Sequence, residues 1–312
     1  MTERAGAQGS DLWLVTGVSS GIGRALAQEV LKRGMRVIGT LRKSRQIGEF
    51  EALAPGRALG VELDVTDAER VPEVLTAAIE SMGGRIGVAV NNAGRGLPGS
   101  VEELPLRSMR ELMEVNLFGP VSIIKTVLPF MRRQRAGHIV NVSSLAGVLG
   151  VQGMPVYSAT KFALEGLSEG LRREVRTLGI NVTIVELGLF RTNFRSNWSE
   201  SSGGGSTAAV ESISDYQHIA HIRAEMLAAD GQQAGDPAKA AQAIIRAVEA
   251  PRPPLRLVLG RDALEAINVK LGSWRRELDE WAVLSRATDF DELPGSSPRA
   301  GESTRERGGA GA

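Results

Sequence analysis

The sequence predicts an α/β fold: a doubly wound parallel sheet of about seven strands in a three-layer sandwich, with helices on both faces. Three observations carry this expectation. Between residues 12 and 187, unbroken apolar runs alternate with amphipathic helical stretches, the pattern of strands buried on both faces. The first run, LWLVT, passes through Gly17, Gly21 and Gly23 into a helical segment, which is strand, tight turn and helix. The polar and glycine-rich clusters all follow strands, and sheets of this kind bind ligands outside their carboxyl ends.

In order, Leu12–Thr16 is the first strand, and the helix Arg24–Arg33 ends at Gly34. Met35–Leu41 and Leu59–Leu63 are the second and third strands. Thr66 or Asp67 is placed to cap a helix beginning near Ala68. Ile86–Val90 is the fourth strand, ending in Asn91-Asn92-Ala93-Gly94. One long helix is expected over Ser108–Met131, a fifth strand over His138–Val142, a helix over Tyr157–Leu178 stopped by Gly179, and a sixth strand over Asn181–Leu187. The alternation then breaks. Residues 193–235 read as an inserted lid or substrate loop, with Ser199–Thr207 flexible by composition. Asp236–Glu249 is helical, with Asp236 and Pro237 at its start, Leu255–Leu259 is a seventh strand, and Asp262–Arg286 is a final helix. Residues 1–10 read as a disordered leader and 289–312 as a disordered tail, leaving one domain over 11–288.

Bulk composition narrows the function. Hydrophobic residues at 42% and charged residues at 23% are ordinary for a soluble globular chain. A formal charge of +1 gives no global pull toward nucleic acid or membrane. The absence of cysteine excludes disulfides, thiolate nucleophiles and Cys-ligated metals, and fits a cytoplasmic setting. No apolar run approaches the roughly 18 residues of a membrane span. His218 and His221 have no acidic or histidine cluster beside them, so they read as a solvated lid helix and no metal is expected. Arg132-Arg133-Gln134-Arg135 lacks interleaved aromatics and suits a helix C-terminus, so nucleic acid is not expected. Trp274 and Trp281, seven apart, read as core or subunit packing.

Thr16–Gly23 reads TGVSSGIG. Its glycines let backbone approach a pyrophosphate, and the following helix N-terminus favours the anion. Gly17, Ser19, Ser20, Gly21, Ile22 and Gly23 are therefore candidate cofactor contacts. An NAD-type site places an acid at the end of the second strand for the ribose 2′-hydroxyl. Here that end reads Gly39-Thr40-Leu41-Arg42-Lys43-Ser44-Arg45, with no acid. A guanidinium matches a 2′-phosphate with two parallel hydrogen bonds. NADP(H) is expected over NAD(H), with Arg42 the main contact and Lys43 auxiliary.

Tyr157 and Lys161 are four apart on an expected helix and share a face. A free tyrosine has a pKa of about 10, and an ammonium nearby is expected to lower it. A tyrosine so tuned can protonate a carbonyl oxygen or deprotonate an alcohol. Ser144 can donate a second hydrogen bond to that oxygen, and a nicotinamide hydride would complete the reduction.

Together these motifs resemble the short-chain dehydrogenases/reductases. The matches are TGVSSGIG, Asp64-Val65, Asn91–Gly94, Asn116 in VNLFG, VNVSS ending at Ser144, and Tyr157–Lys161 in YSATK, covering roughly residues 11–192. The resemblance implies a Rossmann-type sheet and a catalytic tetrad of Asn116, Ser144, Tyr157 and Lys161. It also implies that Lys161 bonds the nicotinamide ribose, that Asn116 holds a relay water, that Asp64 and Val65 flank the adenine, and that Asn92, Ala93 and Gly94 pack beside the cofactor. It picks Ser144 over Ser143. One departure is Leu187-Gly188, where the family usually has Pro-Gly. Gly188, Leu189 and Thr192 remain expected nicotinamide contacts, with the rigidity of that loop in question. Family members commonly assemble as homodimers or homotetramers.

The expected substrate pocket takes Ser144, Leu145, Met154, Tyr157, Leu187 and Phe190, with Val151, Phe194 and Trp198 nearby. These are mostly apolar, with only Arg191 and Arg195 as cations, so the expected substrate is a small-molecule ketone or aldehyde, or the corresponding alcohol, of apolar character. The alternatives are an NAD-dependent dehydrogenase of steroid-like or aromatic alcohols, and a dinucleotide-binding regulator without catalysis.

Overall fold

The computed structural model describes residues 11–198 and 213–290. The expected leader, the Ser199–Thr207 stretch and the tail from residue 291 lie outside the described residues. The chain divides into two compact units, residues 1–270 and 271–312.

The first unit holds a seven-stranded sheet in the order β3-β2-β1-β4-β5-β6-β7, parallel throughout. The strands are β1 (Leu12–Val15), β2 (Arg36–Leu41), β3 (Ala58–Glu62), β4 (Val88–Asn91), β5 (Gly137–Val142), β6 (Ile180–Leu187) and β7 (Arg256–Leu259). The chain first builds outward from β1 to β2 and β3, then crosses back to β4 on the other side. That reversal opens a crevice at the carboxyl ends of β1 and β4.

The helices are α1 (Gly21–Lys32), α2 (Ile47–Glu51), α3 (Arg70–Ser81), α4 (Leu106–Met113), α5 (Gly119–Gln134), α6 (Pro155–Val175), α7 (Gln217–Ala228), α8 (Pro237–Val248) and α9 (Arg261–Arg286). Strand residues alternate between two cores, as the pleat requires. Trp13 and Val15 pack with Leu26 and Val30 of α1 and Ile244 and Ile245 of α8. Leu12 and Leu14 pack with Leu75 and Ile79 of α3, Val127 of α5 and Leu171 of α6. These two apolar layers hold the sheet between its helices.

Element ends differ from the sequence expectation by one to three residues. Two differences are larger. The single helix expected over Ser108–Met131 is α4 and α5 joined by a π-helical turn at Glu114–Phe118. With that turn, Leu106–Gln134 forms a 29-residue helical stretch containing an 18-residue window of mean hydropathy 1.2, enough by length and composition alone to cross a membrane. The sequence reading missed this. Its apolar character follows from its packing, since Ile123, Val127, Phe130 and Met131 are buried in the core. In the insertion, α7 places His218 and His221 on a largely exposed helix, with His221 Nε2 3.1 Å from Glu225 Oε1. Within the second unit Trp274 and Trp281 are 54% and 57% exposed, so core packing is not their role.

Candidate active site

The site begins where β1 ends. Thr16 uses the full capacity of its hydroxyl. Oγ1 donates to Val90 O at 3.3 Å and accepts from the N–H groups of Asn92 and Ala93, both at 3.0 Å. Asn92 Nδ2 returns a bond of 2.8 Å to Thr16 O. The turns after β1 and β4 are thus locked together.

Above this lock, Gly17 and Gly21 have φ of +73° and +59°, a region that favours glycine. A Cβ on Gly17 would crowd Ala93, and one on Gly21 would crowd Thr192 at 3.3 Å. Ser20 precedes α1 in extended conformation, and no side chain caps that helix. The first-turn N–H groups face the cleft as donors for an anion. Gly17, Ser19, Ser20, Gly21 and Ile22 all line the cleft. Gly23 does not; a Cβ there would strike Gly17 O and the Asn92 amide, so its service is close packing beneath the turn. Arg42 and Lys43 line the cleft past the end of β2, both exposed, and no acidic partner is recorded for either among the described residues. Asp64 and Val65 line it after β3, and Asn92, Ala93 and Gly94 after β4. This floor of bare backbone, with cations at one end, fits a dinucleotide.

The far end is built by β5, α6 and β6. Ser144, Tyr157 and Lys161 line the same cleft, whereas Ser143 is 2% exposed and turned away. Ser144 Oγ accepts from Ala146 N at 3.2 Å and donates to Leu187 O at 3.3 Å. Pro155 opens α6, so Tyr157 sits in its first turn and Lys161 one turn on. Lys161 Nζ donates to Val142 O at 2.8 Å and lies 5.8 Å from the centre of the Tyr157 ring.

The electrostatics depart from the expected lowering of Tyr157. Burial pushes its hydroxyl up to about 12, opposed by a hydrogen bond from Ser144. Burial also draws Lys161 down to about 8, opposed by Glu165. Both groups are largely buried, and desolvation penalises the phenolate and the ammonium alike.

Asn116 sits in the π turn and is 1% exposed. Its Oδ1 accepts from Arg95 N at 3.0 Å, and its Nδ2 donates to Arg95 O at 2.9 Å and Thr160 Oγ1 at 3.0 Å. It lies behind the cleft wall rather than on it. A Cβ on Gly94 would meet Asn116 Oδ1 at 3.2 Å and Lys161 Nζ at 3.8 Å, so this amide and the ammonium lie close together.

Leu187, Gly188, Leu189 and Thr192 line the cleft after β6. Leu189 N donates to Asp262 Oδ2 at 2.7 Å, and any side chain at Gly188 would strike that carboxylate. An acid from the start of α9 fixes the turn where the expected proline is missing. Sequence reasoning had no signal for Asp262, which is 73 positions away.

Leu145, Met154 and Phe190 line the cleft. Phe190 also bridges to Gly235, tying the insertion back to the turn after β6. Tyr157 and Phe194 have ring centres 5.6 Å apart, and Phe194 meets Trp198 edge-on at 6.2 Å. They form an aromatic wall beside the Tyr157 hydroxyl. The whole cleft measures about 900 Å³, room for two ligands side by side.

A cleft that seats a dinucleotide at one end and presents a paired serine and tyrosine at the other belongs to an oxidoreductase of the dinucleotide-binding α/β class. The short chain dehydrogenase family model matches residues 12–203, and the chain belongs to that family. It is 35% identical over 280 residues to oxidoreductase BOA17 of Botryotinia fuckeliana, covering 89% of this chain and 98% of the relative. It is 35% identical over 262 residues to 3-ketodihydrosphingosine reductase of Bacteroides thetaiotaomicron, covering 84% and 91%. It is 36% identical over 265 residues to human retinol dehydrogenase 8, covering 78% and 79%. A short-chain dehydrogenase structure from Streptomyces avermitilis superposes with a TM-score of 0.79 at 43% identity, covering 91% of this chain and all of that one. A structure of ElxO with NADP bound superposes with a TM-score of 0.65 at 26% identity, covering 83% of this chain and all of that one.

Proposed function

We propose that this oxidoreductase is an NADP(H)-dependent reductase of bulky, apolar ketones, with Tyr157 as proton donor and Ser144 holding the carbonyl oxygen. The observation that carries the reading is that one cleft brings Ser144 and Lys161 together with the hydroxyl of Tyr157. Held at about 12 by burial, it keeps its proton at neutral pH, as a donor to a developing alkoxide must. Bound NADPH supplies a hydride from the nicotinamide C4. Ser144, whose hydroxyl must turn from Leu187 O to reach the same oxygen, then stabilises charge as it develops. Lys161 places an ammonium near the tyrosinate left after transfer, and Asn116, bonded to Thr160, braces the segment from which both project.

Arg42 and Lys43 favour a 2′-phosphate, since a guanidinium binds it with charge-assisted bonds while a ribose hydroxyl calls for an acid. The NADP-bound neighbour supports this. The aromatic wall and the apolar lining at Leu145, Met154 and Phe190 favour an apolar substrate. Relatives named for 3-ketodihydrosphingosine and retinol, each with a large hydrocarbon portion, support it. We extend the proposal to a homodimer or homotetramer, which sedimentation of the purified chain would check, and to a cytoplasmic setting, which cell fractionation would check.

The test is a panel of aromatic, alicyclic and long-chain ketones, and of small keto acids, assayed by nicotinamide absorbance with NADPH and NADH. Turnover of apolar ketones with NADPH is expected. Tyr157→Phe should cost at least about 100-fold in kcat while NADPH binding is retained. Turnover confined to charged keto acids overturns the substrate reading, and a variant with undiminished turnover overturns the role of Tyr157.

A further inference from the structure

One turn beyond Lys161, α6 carries a second buried ionisable group. Glu165 is 4% exposed and lies four residues on, on the same helix face. Its surroundings come from four elements. Arg256 on β7 forms ion pairs with Glu165, with Glu186 on β6, and with Glu169 farther along α6. Ser143, at the end of β5, approaches from the remaining side. A Cβ on Gly147 would stand 2.6 Å from Ser143 Oγ and 2.9 Å from Glu165 Oε1, so the two atoms converge beneath the turn that presents Ser144. Neither closes a well-formed hydrogen bond with another protein group. Oε2 is taken by Arg256. Lys161 Nζ bonds Val142 O, the carbonyl just before Ser143.

We propose that Glu165 is a positioning residue for Lys161, a carboxylate tied to the sheet by Arg256 that keeps the buried lysine charged where it supports Tyr157. The proposal deepens the reading of Lys161 in the proton-transfer centre and rests on it. Burial alone would strip the ammonium of its proton near neutrality, and the Glu165 charge opposes this. Arg256 is shared among three carboxylates and cannot neutralise all of them. Glu165 is accordingly pushed up to about 7 by burial and by Glu186, against Ser143 and Arg256.

These values define a window. Below pH of about 7, Glu165 is protonated and Lys161, with its own value near 8, keeps its proton unaided. Above it, Glu165 becomes an anion in the range where Lys161 would otherwise discharge. The support therefore acts only on the alkaline side.

Lysine labelled with 13C at Cε tests this on the cofactor-free chain, which has six lysines. The Lys161 signal, assigned by its loss in Lys161→Arg, should titrate near 8 in the wild type with a second inflection near 7 from Glu165. In Glu165→Gln the inflection should vanish and the Lys161 midpoint should fall by about one pH unit. Glu165→Asp should retain the inflection. A wild-type curve without the inflection, or an unchanged midpoint in Glu165→Gln, overturns the proposal. The first of these readouts stands even if the glutamine variant does not fold. With NADPH and a bicyclic aromatic ketone, kcat/KM of Glu165→Gln should match wild type at pH 6 and fall about tenfold below it by pH 9. An equal loss at every pH marks a merely structural role and overturns the proposal. A wild type that turns over no ketone sinks the functional reading instead and leaves the lysine titration to decide this one.

Discussion

Leu189 and Asp262 are joined by a 2.7 Å hydrogen bond from backbone N–H to carboxylate, across 73 positions of sequence. The bond fixes the turn after β6 in the place where a proline would have stiffened it. Asp262→Ala leaves that N–H without its acceptor, at about 1–2 kcal/mol. The expected result is a rise in KM for NADPH of roughly 5- to 30-fold with a smaller change in kcat. Initial-rate kinetics would show it; unchanged KM would mean the turn is held by other contacts.

Arg42 carries the expected cofactor choice. Arg42→Ala should remove a charge-assisted contact of about 1.5–3 kcal/mol. That corresponds to a loss of about 10- to 150-fold in kcat/KM with NADPH, with little change for NADH. An equal loss with both cofactors would place Arg42 elsewhere than on the 2′-phosphate.

His138 sets a limit on acid stability. It is 4% exposed and its Nε2 lies 2.9 Å from Thr183 Oγ1, whose own proton goes to Pro254 O. The ring therefore donates from Nε2. Burial, helped by Arg172, depresses His138 to about 4. A base with a depressed folded value contributes stability above its unfolded value of about 6.5 and loses it as pH falls toward 4. The loss should amount to about 3 kcal/mol across that interval. Urea unfolding of wild type and His138→Asn at pH 7 and pH 5 checks it, and the wild type should lose more stability between the two.

Phe194 links Tyr157 to Trp198 in the aromatic wall. Phe194→Ala removes two ring contacts worth about 0.5–1.5 kcal/mol each. The kcat/KM for a bicyclic ketone should fall about 5- to 150-fold, and that for acetone should change much less. Equal losses would assign Phe194 to holding Tyr157 rather than to shaping the pocket.

Much of this site was legible in the sequence because its signals are local. TGVSSGIG, the Asn-Asn-Ala-Gly turn and Tyr157 with Lys161 each lie within one strand–turn–helix unit, and hydrophobic alternation sets the register of that unit. Three features escaped, each for a physical reason. The π turn is one residue of extra winding inside an otherwise regular apolar pattern, and periodicity over a long window averages it away. Asp262 and Arg256 act from beyond the insertion, and their spacing from Gly188 and Glu165 follows no short repeat. The value of Tyr157 depends on how completely the folded chain dries it; spacing shows that an ammonium is near, but not that desolvation outweighs it.

The hydroxyl of Thr16 has a consequence for how this chain can be divided. It bonds the Val90 carbonyl near the end of β4 and the amides of Asn92 and Ala93, while Asn92 bonds back to the turn after β1. The turns after β1 and β4, which together make the nucleotide floor, therefore share one knot of six polar groups. Neither turn can be cut free of the other, and a permuted or split version opened between residues 16 and 92 must re-form that knot before a dinucleotide has a seat.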